Sequence, residues 1–148
     1  MSEDWIEQRH KRYMEEVEAK QHVRCSRTNA QASYAAFFDD LKEQVRKDVE
    51  KYNQLFGSLG DCRAYFEDIP DGFSVTRLNG MVMIAKKSSG TVITMQYFAR
   101  PDSPPKHKSL EVAPDEHGNI GYKQNGHFWR DAARASQSVL EEKGFLCG

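Results

Sequence analysis

Long apolar runs are missing from this sequence. No stretch approaches the roughly 18 uncharged apolar residues that a membrane-spanning helix needs. Cysteine is scarce: Cys25, Cys62 and Cys147 form no C-x-x-C pair and are too few and too scattered for a disulfide framework or a zinc knuckle. An odd count suits a reducing compartment, so three free thiols are expected, with Cys62, in a strand-like run, acting as a small buried hydrophobe. An excess of either charge is also absent. The chain carries 21 Lys and Arg against 22 Asp and Glu, a formal net charge of -1, which argues against a general nucleic-acid binder. The opening residues MSEDWIEQRHKRYMEEVEAK lack the apolar stretch and small-residue cleavage site of a signal peptide. With no span and no such signal, the expected address is cytoplasmic.

The motifs that announce common chemistries are missing as well. There is no phosphate-cradling G-x-x-x-x-G-K-[ST], no dinucleotide-binding G-x-G-x-x-G, no H-E-x-x-H and no nucleophile elbow. Nothing sets a nucleophile beside a base or pairs carboxylates at a reaction-ready spacing. An enzyme therefore ranks last among the function classes, and no cofactor is implied.

What is present is a chain of 148 residues, a length that fits one domain with a real core. Its apolar residues are unevenly placed. Of all its Val, Ile, Leu and Phe, only Ile6, Val17 and Val23 lie in the first 33 residues. That segment cannot build a core by itself. It does carry a helical pattern over residues 3–23, in which Ile6, Tyr13, Met14 and Val17 make a narrow stripe among Glu, Lys and Arg. Such a stripe is marginal alone and needs another surface, from its own domain or from a second chain. Residues 1–30 are thus read as a charged helix that can extend from the core. The basic clusters Arg9-His10-Lys11-Arg12 and Lys20 to Arg27 alternate with Glu7, Glu15, Glu16 and Glu18, as on a solvated, salt-bridged face.

A second helix is clearer. Tyr34, Phe37, Phe38, Leu41, Val45, Val49, Tyr52, Leu55 and Phe56 form a continuous stripe at helical spacing, and Gly57 follows where a C-cap needs a left-handed residue. The period then switches to two. Residues 62–69, 73–78, 81–86, 91–99, 108–113 and 120–124 read as strands, broken by Pro70-Asp71-Gly72, Asn79-Gly80, Ser89-Gly90 and His117-Gly118-Asn119. Two-residue turns at Asn79-Gly80 and Ser89-Gly90 pair Val75 with Ile84, Ile84 with Met95 and Val82 with Tyr97. They gather Phe73, Val75, Val82, Ile84, Ile93, Met95 and Tyr97 on one face. Ser74, Thr76, Met83, Ala85, Thr94 and Gln96 fall on the other. A last helix from Phe128 to Lys143 carries Ala132, Ala135, Val139 and Leu140, with Gly144 at the C′ position and Phe145 touching Leu140. The expected fold is α+β: two N-terminal helices, an antiparallel meander of five or six strands and a C-terminal helix packed on one sheet face.

Several residues invite a functional reading. Arg77 falls on the apolar face, where its planar donor fork could anchor a carboxylate or phosphate. Against that stands snorkelling past the sheet edge, which the cost of a buried unpaired charge favours. Tyr97 and Trp129, with Phe98 and Phe128, could line a ligand pocket; aromatics at such spacings more often fill a core. His107, Asp115, His117 and His127 match no ligand spacing set by a helix or hairpin, so no metal site is assigned.

Two functions follow. The first is a non-enzymatic interaction module that self-associates as a homodimer through Ile6, Tyr13 and Val17. The second is a carrier of a small apolar or anionic ligand, held in a cavity between sheet and helices by Arg77, Tyr97 and Trp129. For the second, the element order resembles in outline the helix-grip layout of lipid-binding START-like domains, whose first strand has no counterpart here. That resemblance implies a cavity between sheet and helix.

Overall fold

The computed structural model describes residues 2–100, 102–142 and 145–147, with side chains described there except at positions 2, 3 and 21–28. The fold is α+β. The long helix α1 (Ser2–Phe56) is followed by seven strands, β1 (Ala64–Ile69), β2 (Gly72–Arg77), β3 (Val82–Lys87), β4 (Val92–Phe98), β5 (Lys106–Pro114), β6 (Ile120–Gln124) and β7 (His127–Trp129), and then by α2 (Ala132–Leu140). The strands pair antiparallel in sequence order, a simple meander. None of the described helices is long and apolar enough to cross a membrane.

Both N-terminal segments expected to be helical are helical, but they join without a break into one helix of 55 residues. The reason is in the sequence. No proline precedes Pro70 and no glycine precedes Gly57, so nothing between the two stripes removes a backbone donor or opens the left-handed region. At 1.5 Å per residue the rod is about 80 Å long. Its two halves have different surroundings. From Ala30 onward Phe38, Leu41, Val45, Val49 and Tyr52 are buried, whereas residues 4–16 and 18–20 are exposed and Val17 is half-buried. Gly57 does not take the left-handed conformation expected of it; its N–H still reaches Asn53 O at 2.8 Å, and Gly60 carries the positive φ of 59°.

The C-terminal half of α1 lies across one face of the sheet, touching β1, β5, β6 and α2. Phe73, Val75, Met83, Ala85, Ile93, Met95, Leu110, Val112 and Tyr122 supply the sheet side of the core, and Ala135, Val139 and Leu140 of α2 complete the helical layer. Polar clamps fix the layers. The Asn53 amide donates to Ala64 O at 2.7 Å and accepts from Ala64 N at 2.9 Å, so it stands in for a neighbouring strand beside β1. Ser136 Oγ donates to Asp48 Oδ2 at 2.7 Å and ties α2 to α1.

The register corrects the expected one. The first hairpin turns through three residues, Leu78-Asn79-Gly80, with Arg77 N bonded to Met81 O at 2.8 Å and Gly80 at φ 92°. The next also uses three, Ser89-Gly90-Thr91, closed by Ser88 N to Val92 O at 2.9 Å. Each loop adds one residue to the two-residue turn that the dipeptides suggest. Val75 therefore faces Met83, and Ala85 faces Met95. By β4 the two shifts add to two residues, a whole side-chain period, so β2 and β4 keep the expected inner faces, while β3 is inverted: Met83 and Ala85 are buried and Val82 and Ile84 turn to the open face. Gly72 sits where a Cβ would come 1.9 Å from Ala85 O, so β2 enters against β3 with no room for a side chain.

The seventh strand is a second correction. Phe128 and Trp129 belong to β7 rather than to the last helix, because Asn125 and Gly126, both at positive φ (48° and 82°), turn the chain back on β6 in two residues. The helix starts later, with Asp131 as its N-cap accepting from Arg134 N. Gly144, expected at its C′ position, and Lys143, its expected last residue, lie outside the described residues.

The inverted strand gives a direct test. Met83→Ala should cost about 3 kcal/mol of unfolding free energy and Ile84→Ala about 1 kcal/mol. Urea unfolding of both variants checks this, and the reverse order would contradict the three-residue turns.

Candidate functional site

Three regions hold the residues singled out by sequence. Arg77 ends β2 on the inner face and is 5% exposed. It neither snorkels into solvent nor faces an open cavity. Its guanidinium donates from Nη1 to Phe145 O at 2.9 Å, and from Nη2 to Asp61 O at 3.0 Å and to Cys147 Sγ at 3.0 Å, with Asp61 Oδ1 at 4.0 Å. Its Nε has no protein partner. The fork thus holds a short C-terminal segment, residues 145–147, against the end of the sheet. Planarity and several fixed donors suit arginine to this work, and lysine could not span the carbonyls.

Tyr97 belongs to the same cluster. Phe145 meets its ring edge-on, with centroids 5.9 Å apart, and its hydroxyl donates to Val139 O at 2.6 Å near the end of α2. Tyr52 OH accepts from Cys147 N at 3.0 Å. Phe145 therefore fills the space where the helix-grip resemblance implied a cavity rimmed by Arg77 and Tyr97. A disulfide between Cys62 and Cys147, with Cα atoms 5.7 Å apart and a sequence separation of 85, closes the segment. This overturns the expectation of three free thiols. Cys62 lies in the loop before β1 rather than within a strand, which frees its sulfur to meet Cys147. Spacing alone carries no signal for a pair brought together by seven strands of meander.

Trp129 stands apart from this cluster, on the short edge strand β7. With His127, whose ring lies parallel at a 6.0 Å centroid separation, it lines an open groove of about 370 Å³ between the sheet and α2. Lys108, Gln124, Arg134 and Ser138 contribute to the walls. Lys108 Nζ donates to Ser138 O at 2.7 Å and lies 3.4 Å from Glu142 Oε2, while Ser138 Oγ donates to Gln124 Oε1 at 2.6 Å. Arg134 is the exposed cation of the groove. Sequence reasoning missed these partners because the Asn125-Gly126 turn that carries β7 beneath α2 was not read; that dipeptide was the available signal.

The third region is the bare half of α1, where Ile6 is 54% and Tyr13 63% exposed, with Val17 half-buried further along. Trp5 and Met14 are also exposed there. The histidines are dispersed. Asp115 accepts from His117 N at 2.8 Å and Asn119 N at 2.9 Å, so its carboxylate shapes a turn. Among the described residues no three His, Cys, Asp or Glu side chains converge as a metal set. Comparison of the chain with protein-family models, with curated proteins and with solved structures finds no match.

The two buried phenols make a prediction about pH. Tyr97 is held above its ordinary value of 10.0 by burial first and then by the nearby Glu142 carboxylate. Tyr122 is raised from the same value by burial and then by Asp40 and Asp131. A phenol raised in the folded state leaves stability intact below the unfolded value and withdraws it as pH climbs towards the folded one. Unfolding free energy should therefore be insensitive to these groups up to about pH 10 and fall above it. Tyr97→Phe should make that fall shallower in urea titrations across the alkaline range, and an unchanged slope would contradict the assignment.

Proposed function

We propose that this protein is a non-enzymatic interaction module that self-associates through the N-terminal half of α1. The observation that carries the reading is the exposure of Ile6 and Tyr13 on a helix whose other half is fully engaged with its own domain. A lone helical stretch of this length is marginal in water, and most helical stability in proteins comes from packing an apolar face. Among the described side chains of α1, the first buried one is Ala30, and residues 4–16 and 18–20 are exposed. A second copy of the same stripe supplies the missing surface. The groups with most chemical capacity are meanwhile spent on structure: Arg77 and Tyr97 hold the C-terminal segment, and Asp115 shapes a turn.

In the cytoplasmic address expected from sequence, Cys62 and Cys147 would persist as neighbouring thiols; a permanent bond between them belongs to an oxidising compartment.

The groove beside Trp129 favours a second reading, a carrier of small anionic ligands. An aromatic ledge beside the exposed Arg134 suits a planar carboxylate, while Lys108 at its edge is engaged by Ser138 O and Glu142. In a Trp5→Phe background, benzoate should quench Trp129 fluorescence in a saturable way, and Arg134→Ala should abolish the saturation. Linear quenching in both proteins would remove this reading.

For the principal reading, the full chain should sediment as a dimer, and Ile6→Glu combined with Tyr13→Glu should yield a monomer whose thermal midpoint for the sheet domain is unchanged. A wild-type monomer at the highest soluble concentration would overturn it.

A further inference from the structure

We infer that the two copies pair antiparallel, with the twofold axis crossing α1 between Lys11 and Arg12. This inference rests on the self-association reading and adds its geometry. In a seven-residue repeat, Ile6 and Tyr13 occupy one seam position (d) and His10 and Val17 the other (a), which makes an unbroken a/d line over residues 6–17. All four lie on the half of α1 that the domain leaves uncovered, where Ile6, His10 and Tyr13 are exposed and Val17 is half-buried.

Antiparallel helices set each a position against a d position of the partner. In the register centred between residues 11 and 12, Ile6 packs against Val17 of the second copy and His10 against Tyr13 of the second copy. By symmetry each layer occurs twice, so every apolar residue of the seam has a different and complementary partner. Shifting the pairing by one heptad sets His10 against Lys20 and leaves Ile6 outside the apolar seam.

Charge selects the same arrangement. Arg9 and Glu16 occupy the flanking g positions, which face each other across an antiparallel seam. The chosen register places Arg9 beside Glu16 of the second copy, twice. A parallel pair would put Arg9 beside Met14 and stack His10 on its own copy, with no ion pair for Arg9. Lys11 and Arg12 fall at outward positions, away from the seam. The domains also fit. Asp4 of one copy lies level with Ala19 of the other, and the first buried side chain among the described residues, Ala30, is about 16 Å further along the rod. The helix ends therefore overlap without touching either domain, and the two domains sit at opposite ends of the assembly.

Charge reversal in the full-length chain tests this. Sedimentation equilibrium of Arg9→Glu and of Glu16→Arg should each show association weakened about tenfold, because each change sets like charges together twice. The double variant carrying both changes should recover wild-type association. The thermal midpoint of the sheet domain should stay the same throughout, since both residues are exposed and remote from the core. A wild-type dimer indifferent to the single reversals, or one that the double variant fails to restore, would overturn the antiparallel register while leaving self-association standing. A monomeric wild type would overturn both.

Discussion

The structure depends on one unequal division. A single helix of 55 residues is roofed by a sheet along its C-terminal half, whereas residues 4–16 and 18–20 are exposed. The roofed half needs no help. Phe38, Leu41, Val45, Val49 and Tyr52 press on an inner sheet face of Phe73, Val75, Met83, Ile93, Met95 and Tyr122, and hydrophobic burial supplies the driving force. The bare half inherits its helical geometry from that anchor, because elongation from an existing turn avoids the cost of nucleation. It then presents Ile6, Tyr13 and Val17 at a fixed phase relative to the domain. The same rod therefore serves as core and as probe.

At the other end of the chain, residues 145–147 act as a plug. Phe145 enters the core beside Tyr97, Arg77 grips its carbonyl, Tyr52 takes the N–H of Cys147, and the disulfide fastens the strap to the loop before β1. A buried guanidinium is costly without partners. Here two backbone carbonyls and the Asp61 carboxylate supply them, which explains how an arginine can sit on the apolar face of β2. The residue that looked most like a ligand anchor is thus engaged by the protein's own backbone.

Much of this was legible in the sequence, and the remainder was lost for physical reasons. The α1 stripe, the meander and the inner faces of β2 and β4 follow from periodicity alone. The face of β3 does not, because Asn79-Gly80 and Ser89-Gly90 sit equally well in two- and three-residue loops, and one residue inverts a strand. The alternation was also ambiguous, since Met83 and Ala85 compete with the more apolar Val82 and Ile84; here hairpin geometry overrode hydrophobicity. Trp129 was named as a pocket-lining candidate and does line a groove, but its placement on a helix hid its neighbours Gln124 on β6 and Lys108 on β5. Arg77 was placed on the correct face, and its partners come from residues far away in sequence. The disulfide was invisible for the same reason.

Hydrogen–deuterium exchange of the full chain at several protein concentrations tests the central claim most directly. The account predicts that amides of residues 6–17 are protected at high concentration and lose that protection on dilution, while amides of β2 to β5 stay slow throughout. Rapid exchange over residues 6–17 at every concentration, or protection that dilution does not change, would contradict it.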